Sequence, residues 1–194
     1  MSEAAQIIHL LKRGSVEQKE EAVKAASLYV YDRDYFPEAL PLLMELLELE
    51  TTPKIAEEAA WALWKFKDPK AVPVLLKKSK EAKTIGVREK AIRALGLLEA
   101  TEALPYLREL AFGKKEPVFL KAGAIAALGF FKDADLVPPL FKQIKSRDFL
   151  VSKEALHALE RFLRRDPKGF PLKILKKMKR FETKKSFWRF FWPI

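Results

Sequence analysis

The sequence predicts an all-α protein: an α-α superhelix (solenoid) of about five helical hairpins, with an N-terminal capping helix and an aromatic, basic C-terminal tail. Three observations predict it. Alanine-rich segments begin at Ala22, Ala59, Ala91, Ala124 and Ala155, spaced by 37, 32, 33 and 31 residues. Prolines recur at Pro41, Pro73, Pro105, Pro138 and Pro171, spaced by 32, 32, 33 and 33. Apolar residues follow helical spacing, as in Val87, Ala91, Ala94, Leu95 and Leu98, while alternating runs joined by hairpin turns are lacking. Two independent markers on one period signal a stacked repeat array.

Each copy reads as two helices. The first is alanine-rich, and small residues such as Ala91, Ala94 and Gly96 allow a neighbouring helix to approach closely. The second carries its proline in or near the first turn, where a missing N–H costs little. Leu75-Leu76, Leu104-Leu107-Leu110 and Leu140-Phe141-Ile144 supply its buried stripe. Asp68-Pro69 and Asp166-Pro167 fit an N-cap followed by proline, and Thr101 and Asp135 fit caps. Ser15 with Gln18 fits a capping box after a short first helix. The copies are placed at about 15–50, 52–82, 84–114, 117–147 and 149–180, giving a repeat domain over 1–180 and a tail over 181–194.

Composition narrows the class. No hydrophobic run approaches the ~20 residues needed to cross a bilayer. The N-terminus lacks the basic start and apolar core of a signal peptide, and cysteine is absent, so a cytoplasmic protein is expected. Absence of asparagine with abundant Lys and Glu is the bias of a thermophile. The net charge of +11 is unevenly spread. Residues 1–50 hold five Lys and Arg against ten Asp and Glu, whereas residues 151–194 hold thirteen against four. Basic character therefore belongs mainly to the C-terminal end.

The pattern Val87-Arg88, Ala91, Ala94-Leu95-Gly96, Ala103-Leu104-Pro105 and Leu107 is echoed by Ala124, Ala127-Leu128-Gly129 and Leu136-Val137-Pro138, and by Ala71-Val72-Pro73. It resembles HEAT-like repeats, specifically the short type also found in phycobilisome lyases, over roughly residues 15–180. The resemblance implies a binding scaffold, with first helices outside and second helices lining a concave face. Positions matched to Val87-Arg88 are Ala56-Glu57, Leu120-Lys121 and Val151-Ser152.

No catalytic, metal or cofactor site is expected. The two histidines, His9 and His157, belong to opposite ends of the array, and a Gly-rich phosphate loop is lacking. The seven aspartates fall near predicted helix ends, where capping accounts for them. Two features stand out. The second helices carry Lys77, Lys78, Lys80, Arg108, Lys142, Lys145, Lys173, Lys176 and Lys177, against Glu45, Glu48 and Glu50 in copy one. This predicts a face running from acidic to basic, suited to a protein partner with an acidic surface or to a phosphate backbone. The tail carries Phe181, Phe187, Trp188, Phe190, Phe191 and Trp192 among Lys184, Lys185 and Arg189. It is read as a cap on the last repeat, a docking peptide or a peripheral membrane contact, with base stacking ranked last. The function expected is a non-enzymatic scaffold for protein–protein interaction, with nucleic-acid binding as the alternative, up to a DNA-alkylation-repair-like enzyme. That enzyme would want a groove aspartate beside Tyr106, and the sequence supplies none.

Overall fold

A computed structural model describes residues 2–32, 36–168 and 170–184, and among them every regular element is helical. The helices are α1 (Glu3–Arg13), α2 (Val16–Asp32), α3 (Ala39–Leu49), α4 (Pro53–Leu63), α5 (Val72–Glu81) and α6 (Ile85–Leu97). There follow α7 (Leu104–Phe112), α8 (Val118–Leu128), α9 (Val137–Gln143), α10 (Phe149–Arg165) and α11 (Leu172–Lys184). Two layers result. The alanine-rich helices stack directly, α2 on α4, α6, α8 and α10 in turn. Each proline-led helix packs chiefly on the alanine-rich helix that follows it: α3 on α4, α5 on α6, α7 on α8 and α9 on α10. α1 packs on α2 in the same way and so stands in the proline-led layer, burying Ile7 and Leu11.

Local chemistry explains the boundaries. Ser15 and Gln18 form the reciprocal capping box, with Ser15 N–H donating to Gln18 Oε1 at 2.9 Å and Gln18 N–H to Ser15 Oγ at 3.3 Å. Thr52, Thr84 and Asp148 cap α4, α6 and α10. A single 3-10 turn (Pro69–Ala71, Thr101–Ala103, Ala134–Leu136) feeds α5, α7 and α9, and in each the proline is the second residue of the helix. Asp68 caps the first of these turns as expected. Asp133, rather than Asp135, caps the third, accepting from Asp135 N–H at 3.0 Å. Thr101 lies inside its turn instead of capping it, and Asp166 closes α10 rather than opening α11.

The core runs between the layers. Ile55, Val87, Leu120 and Val151 are buried at equivalent positions, so Ile55 and not Ala56 fills the valine's place in copy two. One residue on, the side chain joins repeats. Arg88 Nε donates to Ser79 O at 3.1 Å, Lys121 Nζ to Gly113 O at 2.8 Å and Ser152 Oγ to Ile144 O at 2.7 Å. Three unlike side chains thus help satisfy carbonyls at the end of the preceding proline-led helix, where no intrahelical donor is left.

Gly96 and Gly129 set the spacing of the alanine-rich layer. A methyl group on Gly96 would lie 2.4 Å from Ala127 Cα, and one on Gly129 2.7 Å from Ala158 Cα. Backbone meets backbone at both crossings, and neither helix can yield without moving its neighbour. Gly129→Ala is therefore expected to destabilise the protein by about 2 kcal/mol in urea unfolding. Gly123→Ala, whose methyl would meet Glu89 Cγ at 3.3 Å, should cost less because that flexible side chain can move and alanine favours the helix by about 1 kcal/mol over glycine. Equal costs at the two sites would show that backbone contact does not set the spacing.

Candidate interaction face

Which layer lines the concave side follows from geometry. The alanine-rich helices contact one another along the whole stack, whereas the proline-led ones are wider apart. In a two-layered stack the closely spaced layer lies inside the bend. One ion pair makes the same point. Arg93 Nη2 on α6 reaches Glu154 Oε1 on α10 at 3.1 Å, passing over α8. Alternate helices in a flat layer stand about 16–20 Å apart, too far for side chains that diverge. They meet because this face curves inward and α8 presents only Gly123 and Ala126 beneath them, both buried. The expectation that second helices line the concave face is thereby corrected: the alanine-rich helices do.

The concave face has a simple register. Lys54, Glu58, Trp61 and Lys65 line it in copy two, and Gly86, Lys90, Arg93 and Leu97 at the same positions in copy three. Phe119, Gly123, Ala126 and Phe130 follow in copy four, then Leu150, Glu154, His157 and Arg161 in copy five. Most of the long side chains here are half-buried, as crowding on an inner surface requires. Sequence reasoning assigned these helices to the outside and so missed the face. The signal was present in copies two, three and five as polar and aromatic residues one position before and two after the anchor alanine, joined at six after by Lys65, Phe130 and Arg161.

Local contacts give the face its chemistry. Trp61 and Trp64 pack edge to face with ring centroids 5.7 Å apart, and Lys90 lies over the Trp61 ring at 5.2 Å. Trp64 stands where copies three and four carry Gly96 and Gly129, and α4 gives way there to a 3-10 turn over Trp64–Phe66. Lys54 pairs with Glu20 of α2, and Lys65 Nζ donates to Ser27 O at 3.2 Å. Arg93 pairs with Glu89 as well as Glu154; burial alone would push its guanidinium down, but the two carboxylates outweigh this and raise it. Burial lowers Arg161 below the usual arginine value, Arg93 and Arg165 reinforcing it and Glu154 opposing. Arg161 lies over Phe130 at 4.4 Å and donates to Ala126 O at 3.1 Å, while its Nε is buried without an acceptor. Arg165 ends this row by donating to Gly129 O and Phe130 O, both at 2.5 Å, and Phe131 O at 3.2 Å. A cation on the carbonyl end of α8 is the favoured arrangement. Beside it lies a cleft of about 400 Å³ lined by Val137, Phe162 and Phe170, with Lys132, Arg165 and Asp166 at its rim.

The lysines singled out from the sequence lie on the proline-led helices, which form the outer layer, except Lys145 in the turn after α9. Several are engaged there. Lys78 is 8% exposed and donates to Glu50 Oε1 at 2.7 Å and Glu48 O at 2.8 Å. Lys77 pairs with Glu48, and Arg108 with Asp133 at 2.5 Å. Lys80 lies over Tyr106, whose hydroxyl donates to Ser79 O at 2.9 Å, so Tyr106 joins α7 to α5 in the outer layer. Lys142, Lys145, Lys173, Lys176 and Lys177 are exposed, with Lys177 6.0 Å from the Phe141 ring. Phe187, Trp188, Phe190, Phe191 and Trp192 lie outside the described residues. Among the described residues no group of three or more His, Asp and Glu is placed to hold a metal ion, and no helix is long and apolar enough to cross a membrane.

Comparison with known proteins agrees with this geometry. A family model described as HEAT repeats matches residues 40–119 and 81–159, and the chain belongs to the HEAT-repeat family. It is similar in fold to a chain in the complex of CpcE and CpcF of phycocyanin lyase from Nostoc sp. PCC7120. There the TM-score is 0.68 at 22% identity, covering 84% of this chain and 66% of that one, so this chain spans just under two thirds of it. It is also similar to an engineered protein, with TM-score 0.58 and 20% identity over 93% of this chain and 95% of that one. A designed armadillo repeat protein gives TM-score 0.51 at 20% identity, over 80% of each chain. No curated protein sequence matches the chain.

Two joints can be tested separately. Glu50 sits in a left-handed backbone conformation (φ 46°) between α3 and α4, its side chain 8% exposed. Burial would push its carboxyl up, but Lys78 and the Lys83 backbone N–H together hold it below the ordinary glutamate value. A lowered carboxyl contributes stability above about pH 4.5 that is lost as pH falls through its depressed value. Glu50→Gln should cost about 3 kcal/mol at pH 7 and flatten the acid limb of the stability profile; an unchanged limb would contradict the pairing. For the inner face, a double-mutant cycle of Arg93→Ala and Glu154→Gln should return a coupling of about 1 kcal/mol by chemical denaturation, and strict additivity would mean the pair contributes nothing.

Proposed function

We propose that this protein is a non-enzymatic scaffold that binds another protein through its concave face, centred on copies two to five. The Arg93–Glu154 bridge over α8 is the observation that carries this reading. It supports a preformed, inward-curved surface held by side chains from alternate helices, which a partner can occupy with little ordering cost. The edge-to-face Trp61 and Trp64 offer the rigid aromatic anchors that dominate protein interfaces. An acidic segment on the partner suits Lys65, Lys90, Arg93 and Arg161. A phosphate backbone suits the face less well, because it would meet Glu58, Glu89 and Glu154 among those cations. In this reading residues 1–180 act as one repeat domain and residues 181–194 as a separate contact segment.

Capture from a host lysate by the full chain tests the face. Trp61→Ala with Arg93→Glu should remove retained proteins that Lys142→Glu with Lys145→Glu leaves in place, the loss corresponding to about a tenfold or greater weakening. The opposite pattern would move the site to the outer lysines. A gel shift with duplex DNA at low salt that survives Trp61→Ala but fails for Lys142→Glu with Lys145→Glu would favour nucleic acid instead.

A further inference from the structure

Short connections place the C-terminus of each proline-led helix and the N-terminus of the next alanine-rich helix on one edge of the stack. Along that edge large apolar residues protrude from the first turns of α6, α8 and α10. Ile85 opens α6 at 49% exposure, Phe119 stands in the first turn of α8 at 63%, and Phe149 opens α10 at 58%. None belongs to the core, and a solvated helix start has no need of them. Each is preceded by exposed cations in the same connection: Lys83 before Ile85, Lys114-Lys115 before Phe119, and Arg147 before Phe149.

The carboxylates nearby offset only part of this charge. Glu50 is paired with Lys78, while Asp148 keeps its charge as the cap of α10. Asp148, the exposed Glu81 and the half-buried Glu57 and Glu116 stand against the exposed Lys83, Lys114, Lys115, Lys145 and Arg147. The N-termini of α6 and α8, which no carboxylate caps, point the same way and add positive potential. α11 ends at Lys184 on this edge too, and the ten residues after it contain five aromatics with Lys185 and Arg189.

We propose that this edge rests on an anionic lipid surface, with Ile85, Phe119 and Phe149 entering the headgroup–acyl boundary and the flanking cations meeting lipid phosphates and carboxylates. The shape favours a bilayer over a peptide. These residues stand on three separate connections, as single protrusions rather than one continuous strip. A bilayer accepts them, since each protruding side chain inserts independently. Cations beside apolar residues at that depth are the composition an interfacial contact requires, because burial and charge attraction add. Phe119 stands at the rim of the concave face, while Trp61, Arg93 and Arg161 lie deeper along that face, so the lipid contact and the protein-binding site meet only at this rim.

Flotation of the full chain with vesicles of phosphatidylcholine and phosphatidylserine (7:3), against phosphatidylcholine alone, tests the proposal. Binding is expected only to the anionic vesicles and should weaken as salt rises. Phe119→Ser with Phe149→Ser should lower the partition coefficient about tenfold or more. Lys114→Glu with Lys115→Glu should remove its salt dependence. All four positions are exposed, and thermal melts of each variant against the parent chain separate lost binding from lost folding. Three results would overturn the proposal: no flotation with anionic vesicles at low salt, flotation indifferent to both pairs of substitutions, or self-association that Phe119→Ser abolishes in the absence of vesicle binding.

Discussion

Backbone contact between consecutive alanine-rich helices governs this molecule. At Gly96 against Ala127, and at Gly129 against Ala158, there is no room for one further methyl group. That closeness compresses one layer while leucine-sized side chains hold the proline-led helices farther apart. Unequal spacing of two connected layers is curvature, and curvature decides which surface becomes a cradle. The Arg93–Glu154 bridge, the half-burial of the inner polar residues and the crowding of Arg161 against Gly129 all follow from it.

Period, helix pairing, proline placement and the capping box at Ser15 were legible in the sequence, because each is set by chemistry within a few residues of chain. The caps at Thr101, Asp135 and Asp166 were misplaced for the same local reason. Several polar residues crowd each turn, and only the fold decides whose oxygen faces the free N–H. The inner and outer faces were not legible. Both layers are amphipathic, and the difference between them is a spacing summed over neighbouring helices. Gly96 and Gly129 held that information, yet they read as general permission for close approach rather than as the sense of the bend.

The lysines illustrate a related limit. A run such as Lys77-Lys78 looks like a solvated or partner-binding patch when its carboxylates are unseen. Glu48 and Glu50 lie almost thirty residues earlier, and the fold brings them alongside. The apparent gradient from acidic copy one to basic later copies is thus partly consumed at the first joint. What remains free lies toward the C-terminal end and along the loop edge, where carboxylates are fewer.

Repetition lets these demands coexist. Each repeat must supply a buried residue at the place of Ile55, Val87, Leu120 and Val151, because losing that side chain would open a cavity between layers. The next position needs only a donor that reaches the preceding helix end, and arginine, lysine and serine all serve. Inner-face positions away from α8 are freer still, since no core packing requirement fixes tryptophan at 61, arginine at 93 or histidine at 157. A position the scaffold leaves unconstrained, yet fills with a costly aromatic or a twice-paired arginine, is where selection for binding has room to act. By that measure the inner face around Trp61 and Arg93 is set apart from outer lysines such as Lys77, Lys78 and Lys80, which serve the scaffold's own joints.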